Sequence, residues 1–248
     1  MGEALRTGED VAMTRDDLTG DGQKPDHLGH RKRLRERFLA GGPTALADYE
    51  LLELLLCQAQ PRGDMKPAAK ALIKRFGSFA GVMAASPDAL AEIDGIGAAS
   101  VTVIKTVQAA ALLMQKQDII EKPVLSSWKS VLGYCHSVMA HEPIEQFRLL
   151  FLDTKNALIA DEKQSQGTVN HTPVYVREVA KRALALDASA VIMAHNHPSG
   201  DPSPSRDDIE MTKAVKAALE KIGIQLHDHI IIGRKGHVSL RSLGYIES

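Results

Sequence analysis

The stretch HNHPSGDPSPSRDD (residues 195–208) follows the short apolar run AVIMA, which is typical of a buried strand. Side chains two positions apart on a strand face the same side, so the imidazoles of His195 and His197 can reach one point. Three prolines and a glycine then predict a tight irregular loop. Ser205 suits the N-cap of the following helix, which places Asp208 in the first helical turn, close to both histidines.

Two imidazoles and one carboxylate would supply three of the four ligands that a tetrahedral zinc ion takes. The fourth position then stays open for water, as in a catalytic site rather than a structural one. Zinc lowers the pKa of such a water from about 15.7 to roughly 7, so that hydroxide forms at neutral pH. The sequence therefore predicts one Zn²⁺ per chain, held by His195, His197 and Asp208.

A second interpretation of the same residues needs no metal. Ser205-x-x-Asp208 also fits a capping box, which stabilises a helix by about 1 kcal/mol. His195 and His197 would then be ordinary polar residues of a loop. The turn residues between the histidines and the capped acid favour the metal interpretation.

Strand-like and helical segments alternate around this stretch, which predicts a mixed α/β domain over residues 119–248. The expected strands are 147–152, 157–161, 190–194, 225–232 and 237–240, and the expected helices are 126–139, with Ser126 or Ser127 as its cap, 176–186 and 207–222.

Residues 27–118, called the helical half below, show only helical patterns. Asp48 is expected to cap one helix and Gly77 to end the next. Ser86 is expected to open a short helix, and a longer one follows to about Lys116. The fold class predicted for the whole chain is α/β, with a helical N-terminal domain before the mixed domain.

Charge divides the chain into three regions. Residues 1–26 have a net charge of −4 and little apolar content, which predicts a disordered acidic tail. The helical half has a net charge of +3, and residues 119–248 have a net charge of zero. The segment 119–125, with Pro123, is expected to be a linker.

The composition, with 44% hydrophobic and 25% charged residues, is that of a soluble globular protein. Two cysteines, Cys57 and Cys135, make neither a disulfide scaffold nor a four-thiolate zinc site, which favours a reducing cytoplasmic location. No stretch approaches the ~20 apolar residues of a membrane span, and the N-terminus lacks the apolar core of a secretory signal. The oligomeric state is left open.

The spacing His-x-His-Pro, six residues, Ser, two residues, Asp resembles the signature of the JAMM (MPN-domain) metalloproteases, without a mismatch over residues 195–208. The resemblance implies that Ser205 stabilises an oxyanion beside the metal-bound water. It also implies that a glutamate just before an upstream strand acts as general base. Glu145 matches that position, and Glu142, which precedes Pro143, is the alternative.

Residues 27–248 resemble the bacterial RadC family (the UPF0758 group), which implies a mixed MPN (JAMM, cytidine-deaminase-like) domain after the helical half. The chain departs from the family pattern at Val176 and Gln164, neither of which is an expected ligand. The segments that carry the resemblance are 30–34, 48–56, 61–66, 167–170, 177–178, 195–208 and 228–233.

Two features of the helical half bear on nucleic acid. The segment Leu90–Gly97 resembles the hairpin of a helix-hairpin-helix motif, whose backbone N–H groups bind phosphate. The negative charge of Asp94 would repel phosphate. The segment fits equally well as a turn that packs two helices and binds no DNA. The basic run Arg31–Arg37 could contact DNA non-specifically or could be a solvated helix face.

Asp228 and His229 also have two interpretations. On a regular strand His227 and His229 share one face and Asp228 lies on the other. A satisfied structural pair is favoured over a partner that orients a ligating histidine.

Two functions follow from these features. The first is a zinc-dependent hydrolase, a metallopeptidase by resemblance, that cleaves an amide bond of a peptide or protein substrate with Glu145 as base and Ser205 at the oxyanion. The second is a DNA-binding or DNA-repair accessory protein whose metal domain is structural or acts on DNA. The segments HExxH and PCxxC, typical of other zinc enzymes, are absent.

Overall fold

A computed structural model of the chain describes residues 26–120, 123–166 and 176–246. Almost all of the predicted acidic tail, and the segment 167–170 that carries part of the resemblance, lie outside the described residues.

The helical half folds as predicted into helices only. Its core is formed mainly by apolar side chains of α2, α3, α4 and α6. The helices are α1 (Asp26–Gly41), α2 (Asp48–Ala59), α3 (Lys66–Phe76), α4 (Phe79–Ala84), α5 (Pro87–Ala91) and α6 (Ala98–Ile120).

Two of the predicted helix boundaries are confirmed together with their caps. Gly77 ends α3 in the left-handed conformation, with φ of 83°, a value that only glycine adopts freely. The hydroxyl of Ser86 accepts a hydrogen bond from the backbone N–H of Ala89 at 3.2 Å and so starts α5.

Two predicted caps are wrong because their side chains bond elsewhere. Asp48 is the first residue of α2 rather than its cap, and its carboxylate accepts from the N–H of Phe79 at 3.4 Å. The hydroxyls of Ser126 and Ser127 donate backwards to the carbonyl of Pro123, at 2.8 and 3.1 Å. A hydroxyl that donates to a preceding carbonyl leaves the next helix without a side-chain cap, as observed at Ser127.

Helix α6 continues beyond the predicted end and joins two cores. Ile104 is buried in the core of the helical half, whereas Ile119 is buried against the sheet. Val124 is buried in the same sheet core. The segment 119–125, predicted as a linker, is therefore packed against the sheet at Ile119 and Val124.

Within the described residues, α6 is also the one helix whose length and composition would allow it to cross a membrane, contrary to the expectation that no stretch comes close. Only 11% of its apolar window is buried, and the helix contacts the rest of the chain at separate points. The ammonium group of Lys105 donates to the carbonyls of Met83 and Ala85 at 3.0 and 2.9 Å, and Ile119 lies in the sheet core.

The second part of the chain is a five-stranded mixed sheet with helices on both faces, which confirms the predicted α/β fold. The strand order is β2-β1-β3-β4-β5, and only β3 and β4 run parallel. Helix α7 packs on one face of the sheet, and α8 and α9 pack on the other. These elements are α7 (Trp128–Met139), β1 (Gln146–Leu152), β2 (Leu158–Gln166), α8 (Val176–Ala185), β3 (Ala190–Asn196), α9 (Arg206–Glu220), β4 (Gln225–Gly233) and β5 (Gly236–Ser239).

Candidate metal centre

The ends of β3 and α9 bring three potential ligands together. The Nε2 atoms of His195 and His197 lie 3.0 Å apart, and Oδ1 of Asp208 lies 3.2 Å from Nε2 of His195. One ligand atom of each residue lies within 4.8 Å of the other two, in the one such group of three or more among the described residues. The three side chains that the spacing selected therefore converge on one point.

In His197 and Asp208, one side-chain atom forms hydrogen bonds within the loop, which turns the other potential ligand atom toward that point. The carbonyl of Asp201 can only accept, so Nδ1 of His197 donates to it at 2.8 Å, and a neutral His197 then carries a lone pair on Nε2. Oδ2 of Asp208 accepts from both the backbone N–H and the hydroxyl of Ser205, at 2.7 and 2.6 Å. Oδ1 of Asp208 faces His195, and Oδ2 lies 3.5 Å from Nε2 of His197.

This donor set fits zinc. Two nitrogens on a tetrahedral zinc ion lie roughly 3.3 Å apart, given Zn–N bonds of about 2.0–2.1 Å. The 3.0 Å separation between the histidine nitrogens is close to that value. Two nitrogen lone pairs at this distance repel each other unless a proton or a cation lies near both.

The loop between the ligands is held by one backbone hydrogen bond to the end of β4 and by one hydrogen bond from the side chain of Arg234. The N–H of His197 donates to the carbonyl of Ile232 at 2.9 Å, and Arg234 donates to the carbonyl of Ser199 at 2.9 Å. Gly233 lies beneath this loop, where an added Cβ would come within 2.4 Å of the carbonyl oxygen of Gly200. Only glycine allows the loop to approach this closely.

The variant Gly233→Ala is therefore expected to displace the loop, because the new methyl group would meet backbone rather than a flexible side chain. Urea unfolding should show a loss of roughly 1–3 kcal/mol, and zinc titration should show weaker binding. Gly133→Ala is the matched control, because no atom lies within 4 Å of its added Cβ and alanine favours the helix α7. Equal stability of the two variants would contradict this role of Gly233.

Both candidate bases, Glu142 and Glu145, precede β1. Phe147 pairs with His195 across the antiparallel strands, and continuing this register places Glu145 opposite His197. Glu142 lies further back and accepts from the side-chain amide of Gln146 at 2.5 Å. The backbone geometry thus favours Glu145 over Glu142, and its role as general base stays a prediction.

Ser205 performs the capping role that the second interpretation assigned to it. Its hydroxyl accepts from the N–H of Asp208 at 3.1 Å and donates to Oδ2 of the same residue. Ser205 therefore holds the carboxylate in place. The capping box and the metal site are compatible, because Oδ1 takes no part in the cap and lies 3.2 Å from Nε2 of His195.

His229 belongs to the site, contrary to the preferred prediction for it. Its Nε2 lies 2.8 Å from Nδ1 of His195. Asp228 is structural, because it accepts from the backbone N–H of Arg241 and from Ser239 of β5. No spacing rule could have found this partner, because His229 lies on β4 and His195 on β3.

The expected shared face of His227 and His229 is lost at a bulge. Val191 pairs with Leu226 and Ile192 pairs with Asp228, so His227 is the extra residue. His227 contacts the side chain of Asn156 at 2.5 Å instead of the metal centre.

Charge within the site shifts two pKa values in opposite directions. The hydrogen bond to Asp208 raises the pKa of His197 despite its partial burial, and the nearby charge of Glu145 adds to the effect. Burial opposes ionisation of Asp208, but His195 and His197 together hold its pKa well below its usual range. A proton on His197 therefore competes with a cation for the same place.

Zinc affinity is expected to rise with pH, because zinc must displace the proton of His197. The pKa of His197 is raised above its ordinary 6.5, so its pairing with Asp208 stabilises the metal-free fold below that value and is lost as pH rises through the raised pKa. Zinc binding gains in the same window, by up to about ten-fold per pH unit for one released proton. Titrations across this range check the slope, and a flat profile would contradict the proton competition.

Two arginines of the basic run in the helical half form hydrogen bonds or ion pairs within the protein. Arg31 donates to the carbonyls of Pro61 and Gly63, and Arg37 forms an ion pair with Glu50 at 2.9 Å. These two arginines therefore support the fold. The interpretation of the run as a solvated helix face does not describe them.

The hairpin-like segment is packed against α2 and α3. The carbonyl of Gly95 accepts from the side chain of Gln60 at 2.7 Å, and an added Cβ on Gly95 would contact Ala68. Lys105, the nearest downstream cation, already donates to the end of α4. These contacts favour a helix-packing turn at this segment.

Comparison with known proteins places both parts of the chain in one family. The family described as "RadC-like JAB domain" matches residues 125–245, and the family described as "UPF0758 N-terminal" matches residues 26–102. A UPF0758 protein from Rhodobacter capsulatus is 56% identical over 213 residues, which cover 86% of this chain and 100% of that protein. A UPF0758 protein from Ruegeria pomeroyi is 54% identical over 217 residues, which cover 88% of this chain and 97% of that protein. The chain therefore belongs to the UPF0758 family of proteins with a RadC-like JAB domain, in agreement with its fold and its converging residues.

Proposed function

We propose that this protein is a zinc-dependent hydrolase that cleaves an amide bond in a peptide or protein. The observation that carries the proposal is the convergence of His195 Nε2, His197 Nε2 and Asp208 Oδ1 on one point, with the start of β1 beside them. Three ligands leave a zinc ion one open position, which is typical of catalytic sites. A cytoplasmic location, expected from the composition, belongs to the same proposal.

The residues of the site would divide the chemistry between them. His195, His197 and Asp208 would hold one Zn²⁺, which supplies Lewis acidity toward a carbonyl and an activated water. Glu145 would take a proton from the attacking water and pass it to the leaving amine. Ser205 would stabilise the oxyanion once its hydroxyl turns away from Asp208, whose Oδ2 still accepts from the backbone N–H of Ser205.

The proposal is tested by incubating the zinc-reconstituted protein with a peptide library of defined composition and identifying new termini by mass spectrometry. Cleavage is expected with the zinc-loaded protein and should stop after chelation and return with added zinc. The variant His197→Ala is the matched negative control, because it removes a ligand from the exposed loop without altering the strand core. Cleavage that persists in this variant would assign the activity to a contaminant.

A second candidate function is non-specific binding of a nucleic-acid backbone, favoured by one cavity in the helical half. The cavity has a volume of about 560 Å³, and no carboxylate is among its lining residues. It is lined by Arg35 and Arg62, and by Arg31, whose guanidinium group already donates to the carbonyls of Pro61 and Gly63. Guanidinium groups bind phosphate in a bidentate manner, and such contacts do not depend on base sequence.

This candidate is tested by titrating a fluorescent DNA duplex at several salt concentrations. The double variant Arg35→Glu/Arg62→Glu should weaken binding and reduce its salt dependence. Lys74→Glu/Lys129→Glu changes the net charge equally at exposed positions outside the cavity and should matter less. Equal effects of the two double variants would indicate attraction by net charge alone, and the cavity would have no special role.

A further inference from the structure

A chain of three hydrogen bonds runs from the metal centre into the protein interior. Nδ1 of His195 lies 2.8 Å from Nε2 of His229. Nδ1 of His229 lies 2.6 Å from the hydroxyl of Thr212, and that hydroxyl lies 2.5 Å from the backbone carbonyl of Asp208. His195, His229 and Thr212 are all at most 1% exposed, so water does not provide alternative partners.

The last acceptor in this chain determines the direction of every bond. A carbonyl oxygen can only accept, so the single proton of the Thr212 hydroxyl is donated to Asp208. The hydroxyl oxygen must then accept from Nδ1–H of His229. A neutral His229 has no second ring proton, so its Nε2 accepts from Nδ1–H of His195. Nε2 of a neutral His195 is left with its lone pair, facing Asp208 and His197.

We propose that His229 and Thr212 are positioning residues that fix the proton of His195 on Nδ1 and present its Nε2 lone pair to the metal. The effect on zinc binding rests on the proposed function, whereas the position of the proton does not. His197 obtains the same tautomer from one backbone carbonyl, that of Asp201. His195 is enclosed between β1 and β4, and its tautomer depends on two side chains instead.

The oxygen of Thr212 is the point at which the chain can be reversed. Valine has nearly the same shape as threonine but cannot accept, so Nδ1–H of His229 would lose its partner in Thr212→Val. His229 could then carry its proton on Nε2 and donate it to Nδ1 of His195. The proton of His195 would move to Nε2, into the place that zinc needs.

The experiment uses the full-length protein without metal, at a pH where the histidines are neutral. Two-bond ¹H–¹⁵N correlation spectra distinguish the two ring tautomers of each histidine. The wild type is expected to show the Nδ1–H form of His195 and His229, whereas Thr212→Val should populate the Nε2–H form of His195. Zinc binding by this variant should be weaker on the order of ten- to a hundred-fold.

Two further variants separate positioning from a loss of structure. Thr212→Ser keeps the hydroxyl and should restore both the tautomer and the zinc affinity. Thr102→Val removes an exposed hydroxyl that likewise donates to the carbonyl four residues earlier, that of Ala98 at 2.9 Å in α6, and should change neither. Unfolding curves of all three show whether any variant has lost its fold.

An Nε2–H form of His195 in the wild type would overturn the proposal, as would a Thr212→Val variant with unchanged tautomers and zinc affinity. A change of tautomer without a change of affinity would overturn the role toward the metal. A wild type that binds no zinc but keeps the Nδ1–H form of His195 would overturn the proposed function and uphold the assignment of the proton.

Discussion

Glu145→Gln is expected to lower the rate of peptide cleavage by about 10²–10⁴-fold, the usual contribution of a general base. Glutamine keeps the shape of glutamate but cannot accept a proton. Because Glu145 is not among the three converging ligands, zinc content should stay unchanged. The measurement is the cleavage rate of a peptide identified by the library, together with zinc per chain in the same sample.

Glu142→Gln is the matched control for this experiment. It makes the same chemical change three residues earlier, where the carboxylate is already bonded to Gln146. Its cleavage rate should stay within a few-fold of the wild type. If Glu142→Gln abolished cleavage and Glu145→Gln did not, the assignment of the base would be reversed.

The second large effect concerns the fold rather than the metal centre. Asp161→Ala is expected to destabilise the protein by roughly 3–5 kcal/mol, because it leaves a half-buried guanidinium group without its partner. Arg148 donates to both oxygens of Asp161 at 2.6 Å, and the carboxylate is 1% exposed. The hydroxyl of Tyr134 also donates to Asp161, and Lys116 lies 3.7 Å away. One carboxylate thus connects β2 to β1, α6 and α7.

Urea unfolding followed by circular dichroism measures this effect. Glu162→Ala is the control. It removes the next carboxylate along β2, which forms an exposed ion pair with Arg182 of α8. Solvent screens that pair, so the control should be much less destabilised. The tautomer of His195 should be unchanged in either variant that folds. Equal destabilisation of the two variants would show that the burial of Asp161 contributes little.

The parts of the fold that local rules govern could be predicted from the sequence. The short apolar run AVIMA indicated the strand before His195, and the Ser-x-x-Asp spacing indicated the capping box that orients Asp208. The two-residue spacing of His195 and His197 placed both imidazoles on one side. Each of these features depends on residues within one short segment.

The parts that depend on distant partners could not be predicted in this way. Asp48 is a good capping residue by type, but the backbone of Phe79 lies close enough to take its carboxylate. The bulge at His227 shifts the register of β4 by one residue, and His229 contacts His195 at the candidate metal centre. From the sequence, this role for His229 was the less favoured of two interpretations. Tertiary contacts determined both outcomes.

The most direct test of the metal centre is the zinc content per chain, measured by metal mass spectrometry after reconstitution and removal of excess metal. The wild type and the control Asp207→Ala, which alters an exposed neighbour, should each hold close to one zinc ion, and Asp208→Ala should hold far less. Circular dichroism of the same samples confirms that each is folded. A folded wild type without zinc would contradict the account, and the 195–208 stretch would then be only a capped loop.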